Sequence, residues 1–128
     1  IINIEKIRMI QLNTILNAVD NSGAKNLKCI KILGGSFCGH VGDIVIVAVQ
    51  KALSQRKIKS GEIHRSLIVR TKKELQRKDG STLKFFMNSA IILNNKNIPQ
   101  STRILGPIPR ELRQQKFMKV LSIAQGTL

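Results

Sequence analysis

Short apolar runs, broken every few positions by lysine, asparagine or glycine, fill most of this chain. Their period is nearer two than 3.6, which predicts strands. Met9–Leu12 and Ile15–Val19 read as two short strands. In Lys25–Leu33 the apolar phase slips between Cys29 and Ile30, which predicts a β-bulge. Asp43–Val49 is almost continuously apolar and β-branched, the pattern of a strand buried on both faces. Glu62–Lys72, Leu83–Phe86 and Ala90–Leu93 follow. Asp79-Gly80 predicts a type I′ turn that folds a Leu67–Arg77 ribbon back on Leu83–Phe86. Gly34-Gly35, Gly39, Gly42 and Lys59-Ser60-Gly61 punctuate the other joins. Many short strands with no helix between them predict a mainly β fold, a small closed barrel or a sandwich. Helix signals come last. Pro107 and Pro109 should stop strand structure, with Pro109 opening a short helix near Arg110–Gln115. Phe117, Val120, Leu121 and Ala124 share one face of a second short helix, which should pack on the barrel.

Charge changes this picture more than composition does. The 128 residues hold 22 Lys and Arg against 7 Asp and Glu, a net charge of +15. Such self-repulsion favours a polyanionic partner, with nucleic acid ahead of an anionic membrane. Membrane insertion is not expected: the longest apolar run, Ile44–Val49, is far short of the ~20 residues of a spanning helix. Cys29 and Cys38 have neither zinc nor disulfide spacing and read as reduced thiols. The opening Ile1–Arg8 reads as an N-terminal extension, such as a processed organelle-targeting segment leaves, ahead of a single domain over 9–128.

Candidate chemistry is sparse. Asp20-Asn21-Ser22-Gly23-Ala24 resembles an aspartic-protease tripeptide, but Asn21 interrupts it and no second carboxylate accompanies it. It reads as a turn capped by Asp and Asn, with Gly23 left-handed, or as a nest of backbone N–H groups for an anion. The Gly34–Gly42 loop lacks the Gly-Lys-Ser/Thr of a phosphate-binding loop. His40 and His64 belong to no metal pattern, and Asp43, Glu62 and Glu74 form no acid–base pair. No enzyme activity, cofactor or metal is expected.

The basic residues carry the signal. They cluster at Lys25/Lys28/Lys31, Arg56-Lys57 with Lys59, Arg70 with Lys72-Lys73, Arg77-Lys78, and Arg110/Arg113/Lys116/Lys119. Lys25, Lys28, Arg56, Lys57, Lys59, Arg70, Lys72, Lys73, Arg77 and Lys78 are the candidate RNA contacts. Only four aromatics exist, Phe37, Phe85, Phe86 and Phe117, so a platform that stacks successive bases is disfavoured. With no finger, zipper or recognition helix, the expectation is phosphate and sugar contact to a folded RNA read by shape. Thr102 and Arg103 lie in a loop bounded by Pro99 and Pro107, whose restricted backbone lowers the ordering cost of presenting them to a partner.

Several stretches together resemble the universal large-subunit ribosomal protein fourteen family in its bacterial and organellar form. They include Met9-Ile10-Gln11, Val19-Asp20-Asn21-Ser22-Gly23-Ala24, Lys31–Ser36, Gly42-Asp43-Ile44-Val45, Val69-Arg70-Thr71-Lys72, Asp79-Gly80-Ser81, Thr102-Arg103-Ile104 with Gly106-Pro107, Arg110-Glu111-Leu112-Arg113 and Phe117-Met118-Lys119. The resemblance spans Met9 to Leu128. It implies a five-stranded β-barrel with a projecting hairpin and short C-terminal helices. It also implies binding to large-subunit rRNA, a bridge to small-subunit rRNA, contact with a neighbouring large-subunit protein of the nineteenth family, and docking of a ribosome-silencing factor near Thr102, Arg103, Lys119 and Ser122. Arg110 and Arg113 join that candidate partner surface. Ser101 stands where the family usually has Gly, so a left-handed turn there would be strained. Phe37-Cys38-Gly39-His40 replaces a more basic loop, and Gln125-Gly126-Thr127-Leu128 replaces the usual ending. The residues before Met9 point to a mitochondrial ribosome, with a plastid or bacterial one as the alternative.

Overall fold

The structure, a computed structural model, describes residues 10–33, 38–54, 58–72, 75–110, 112 and 118–127. Its strands are β1 (Ile15–Ala18), β2 (Ala24–Ile32), β3 (Ile44–Ala52), β4 (Ile63–Arg70), β5 (Leu75–Gln76), β6 (Thr82–Leu83), β7 (Ser89–Leu93), β8 (Ile104–Ile108) and β9 (Ala124–Thr127). A short helix, α1 (Met118–Ile123), precedes β9. The order β1-β2-β3-β4-β7 closes a five-stranded barrel. Its seams are antiparallel except β1–β7, which is parallel.

Alternation fills the barrel. Leu16, Leu27, Cys29, Val45, Val47, Val49, Ile68, Ala90 and Ile92 form one buried cluster. The β2–β3 register shifts between Cys29 and Lys31, so the bulge lies where the apolar phase slips. Burial in β3 alternates strictly from Ile44 to Val49; it is not covered on both faces as its composition suggested. The doubly covered strands are β4, in its second half, and β7. Their outer residues Leu67, Val69, Ile91 and Leu93 pack with Ile104, Ile108, Leu112 and Val120 in a second core. On the outer face of β3 only Ile44, half-buried at the strand's start, packs against that second core.

Other expectations need correction. Among Met9–Leu12, Ile10 makes only an isolated bridge to Gly39, and Met9 lies outside the described residues. The chain turns at once: the Thr14 hydroxyl accepts the Gln11 N–H at 2.9 Å, and Asn13 is left-handed at φ 68°. Pro107 does not end strand structure. It lies inside β8, which pairs parallel with β9. That two-stranded sheet is all edge, so a residue without an N–H is tolerated. Ala124 opens β9 instead of extending the helix. Phe117 and most of Arg110–Gln115 lie outside the described residues, as do Arg56, Lys57, Lys73 and Arg113.

The hairpin forms, but only Thr82–Leu83 of its return arm is strand, paired with β5. Its turn is not type I′. Arg77 N–H donates to Ser81 O and Gly80 N–H to Arg77 O, with Gly80 at φ 91° and Asp79 outside the left-handed region. This is the three-residue form, a type I turn closed by a left-handed glycine. Asp79 favours it by accepting both the N–H and the hydroxyl of Ser81, at 3.0 and 2.6 Å.

Candidate nucleic-acid interface

The Asp20–Ala24 run is a brace between distant parts of the chain. Val19 N–H donates to Ala90 O, and Leu105 N–H donates to Val19 O. Asp20 is buried and bridges Ile104. Its Oδ2 accepts the Ile92 N–H at 3.0 Å, and its Oδ1 accepts the Ser22 hydroxyl at 2.6 Å. Asn21 Oδ1 accepts the N–H groups of Thr102 and Arg103 at 3.0 and 3.3 Å, while its Nδ2 donates to the Thr102 hydroxyl at 2.8 Å. Carboxylate and amide therefore work in tandem. One fixes the loop to the barrel; the other fixes the Thr102–Arg103 segment to the loop.

Thr102 and Arg103 are exposed, and the Ile104↔Ala124 register brings the end of α1 beside them. Lys119 and Ser122 are exposed on that helix, with the Ser122 hydroxyl donating to Lys119 O at 2.7 Å. Four of the residues expected at a partner surface thus share one region. The bracing comes from Asn21, which proline spacing did not reveal. Ser101 is not left-handed; Asn97, at φ 61°, takes the left-handed position in the preceding turn. The strain expected at Ser101 does not arise.

The candidate RNA contacts are dispersed over the barrel wall and the hairpin. Lys25 is exposed on β2, and Lys28 is half-buried between β1 and β3, opposite Ile15 and Ala48. Lys59 is exposed in the turn before β4, and Lys72 is exposed after it. Arg77 and Lys78 flank the hairpin tip. Asp79 there is held below the usual carboxylate range by the Ser81 hydroxyl and N–H, and then by the charges of Arg110 and Arg77. Arg110 therefore belongs electrostatically to the hairpin tip. Among the described residues the acid–base side-chain contacts are His40–Asp43 and Glu62–His64, which are ion pairs only when the imidazole is protonated. Among the same residues, Lys25, Lys28, Lys72 and Lys78 are paired with no carboxylate.

Arg70 is placed differently. Its Nε donates to Pro107 O at 2.8 Å, its Nη2 donates to Leu105 O, and the guanidinium lies 5.9 Å from the Phe85 ring centroid. Burial lowers its pKa from the usual guanidinium value. Gly106 makes this clamp possible: at φ 80°, a Cβ there would stand 2.4 Å from Arg70 Nη2. The side chain ties β4 to β8.

The other polar candidates also have local roles. Asp43 Oδ2 accepts the His40 N–H at 2.7 Å and caps the turn into β3. Glu62 is held low first by its hydrogen bond from His64, 2.7 Å away. Cys29 is buried, which raises its thiol pKa and makes it unreactive. Among the described residues no group of three His, Cys, Asp or Glu could hold a metal.

Sequence reasoning missed two features here. Asn21 braces residues more than 80 positions away, and no local signal marks that. Phe86 is 97% exposed within a run that had read as strand. The remaining pattern is a cationic barrel whose buried carboxylate organises backbone. A family model described as Ribosomal protein L14p/L23e matches residues 9–128. The chain therefore belongs to the L14 ribosomal protein family, whose members are structural constituents of the large ribosomal subunit.

Proposed function

We propose that residues 9–128 work as one unit that binds large-subunit rRNA through phosphate and shape contacts, with Ile1–Arg8 as an extension of it. Lys25, Lys28, Lys59, Lys72, Arg77 and Lys78 are the phosphate contacts on the described surface. Arg56, Lys57 and Lys73 continue the set by sequence. Arg70 contributes by fixing β8, which carries the loop before it. The unpaired lysines support this reading: each can neutralise a phosphate without first breaking an internal ion pair. No catalytic role is assigned. We place the protein in a mitochondrial ribosome; a plastid or bacterial one is the alternative.

The surface of Thr102, Arg103, Lys119 and Ser122 is proposed as the partner face. It would serve the bridge to small-subunit rRNA and the docking of a ribosome-silencing factor; Arg113 is proposed for the same partners by sequence, and Arg110 from its place by the hairpin tip. The neighbouring protein of the nineteenth family is a further proposed partner. The observation that carries this reading is the set of three Asn21 hydrogen bonds. They pre-organise an exposed arginine, whose planar fork suits paired hydrogen bonding. Arg103→Ala should weaken silencing-factor capture about tenfold or more, as truncation of an interface anchor does. Arg103→Glu should weaken it further and alter the rate of subunit joining. Thermal unfolding should move little, since an exposed side chain contributes within about 0.5 kcal/mol. A large drop in unfolding temperature with both interactions intact would make Arg103 a structural residue instead.

A further inference from the structure

Phe86 is the most exposed large apolar side chain on the described surface, at 97%, and Met87 beside it is 53% exposed. Isolated exposed apolar residues are ordinary. The backbone around this one is not loose. Phe85 N–H donates to Thr71 O at 3.3 Å, and Asn17 N–H donates to Asn88 O at 3.0 Å. Asn88 Oδ1 accepts the Lys72 N–H at 2.8 Å, and Asn17 Nδ2 reaches Met87 Sδ at 3.3 Å. The Phe85 ring lies against the Arg70 guanidinium. The segment is thus tied on both sides of Phe86, to β1 and to the end of β4. Phe85 faces inward to a cation and Phe86 is carried out into solvent.

The charge around it selects the partner. Lys84 directly precedes the segment, and Lys72 stands at its other end, where its N–H donates to Asn88 Oδ1; both are exposed, and neither is paired with a carboxylate among the described residues. The nearest acid of the β5–β6 hairpin, Asp79, is engaged by Ser81. An apolar pocket on another protein would have to accept these lysines unpaired or supply its own acids. An unstacked nucleobase supplies a flat π-face with phosphates on both sides. We infer that Phe86 stacks on a single unpaired base of the large-subunit rRNA, with Lys72 and Lys84 holding the flanking phosphates. This inference rests on the rRNA-binding reading above. The low aromatic content disfavours a platform for successive bases; one ring is enough for one base. Because the backbone is fixed beforehand, little ordering entropy opposes the contact.

The chain has no Trp, so Phe86→Trp creates a single fluorescent reporter that keeps the π-face. The test titrates the full chain and its Phe86→Ala, Phe86→Leu and Phe86→Trp variants with deproteinised large-subunit rRNA from the same source, over a range of salt. Phe86→Ala should bind roughly 5- to 150-fold more weakly, the loss expected of one base–aromatic stack. Its dependence on salt should stay parallel to the parent's. Phe86→Leu should lose affinity comparably, and Phe86→Trp should keep it while its fluorescence is quenched by the RNA. A steep parent salt slope with Phe86→Ala and Phe86→Leu binding as tightly as the parent overturns the stacking inference alone. Unquenched Phe86→Trp does the same, as does a defect that appears only in assembled subunits, which would place Phe86 in a protein pocket. A flat parent salt slope overturns the rRNA-binding reading and this inference with it. Thermal unfolding of the three variants should match the parent, because the ring contributes almost nothing to the fold.

Discussion

Asp20→Ala should destabilise the protein by about 2–3 kcal/mol, far more than a change at any exposed lysine. Hydrogen bonds to a charged group contribute about 1.5–3 kcal/mol, and a buried donor left without a partner costs a comparable amount. The carboxylate accepts the N–H of Ile92, a residue with no solvent exposure, and the hydroxyl of Ser22. Alanine leaves that N–H with no acceptor and no water. It also frees the loop from which Asn21 holds Thr102 and Arg103. Thermal unfolding should fall by roughly 10 °C, given the steepness usual for a domain of this size. Asp20→Asn, which keeps one acceptor oxygen, should lose less. Asn21→Ala separates the two halves of the brace: it should shift unfolding modestly while abolishing the ordered presentation of Arg103. Unfolding of Asp20→Ala at the parental temperature would remove Asp20 from its assigned place.

The affinity for rRNA should fall about a thousandfold between 50 and 200 mM salt if about six phosphates are neutralised. The exponent follows from counterion release: each phosphate contact returns close to one cation to solution, and the contacts multiply. Among the described residues, Lys25, Lys28, Lys72 and Lys78 have no carboxylate to give up first. Charge removal at Lys25 or Lys78 should therefore lower affinity evenly across RNA sequences and reduce the salt slope by about one each. Measurement of binding constants at several salt concentrations checks both. A response within a few-fold over that range would mean that the contacts are not to phosphates.

Local pattern carried much of the barrel. The phase slip at Cys29–Ile30 marks the bulge because a bulge is a local event, one extra residue on one strand. The β-branched content of Asp43–Val49 misled because burial of a strand's outer face depends on what arrives from elsewhere. That cover is formed by β8, Leu112 and α1; it falls on β4 and β7, whose own sequences differ little from β3. The hairpin was legible in Asp79-Gly80, yet the turn form depended on Ser81 as a partner for Asp79. At the site, charge announced a polyanion but could not sort the cations. Arg70 reads as one more phosphate ligand until its acceptors, the carbonyls of Leu105 and Pro107, are brought to it from 35 and 37 residues further on. The Asp20–Ala24 turn was legible as a turn. Its long-range role was not, because Ile92, Thr102 and Arg103 meet it only in the closed barrel.

Sedimentation of the chain from its own cells tests the central claim most directly. A tagged copy, expressed at its native level, should migrate with the large subunit in a density gradient. It should remain with that subunit when low magnesium separates the two, and leave it when salt is raised enough to strip phosphate contacts. A chain found at the top of the gradient under all these conditions, or travelling only with the small subunit, would contradict its place as a constituent of the large ribosomal subunit.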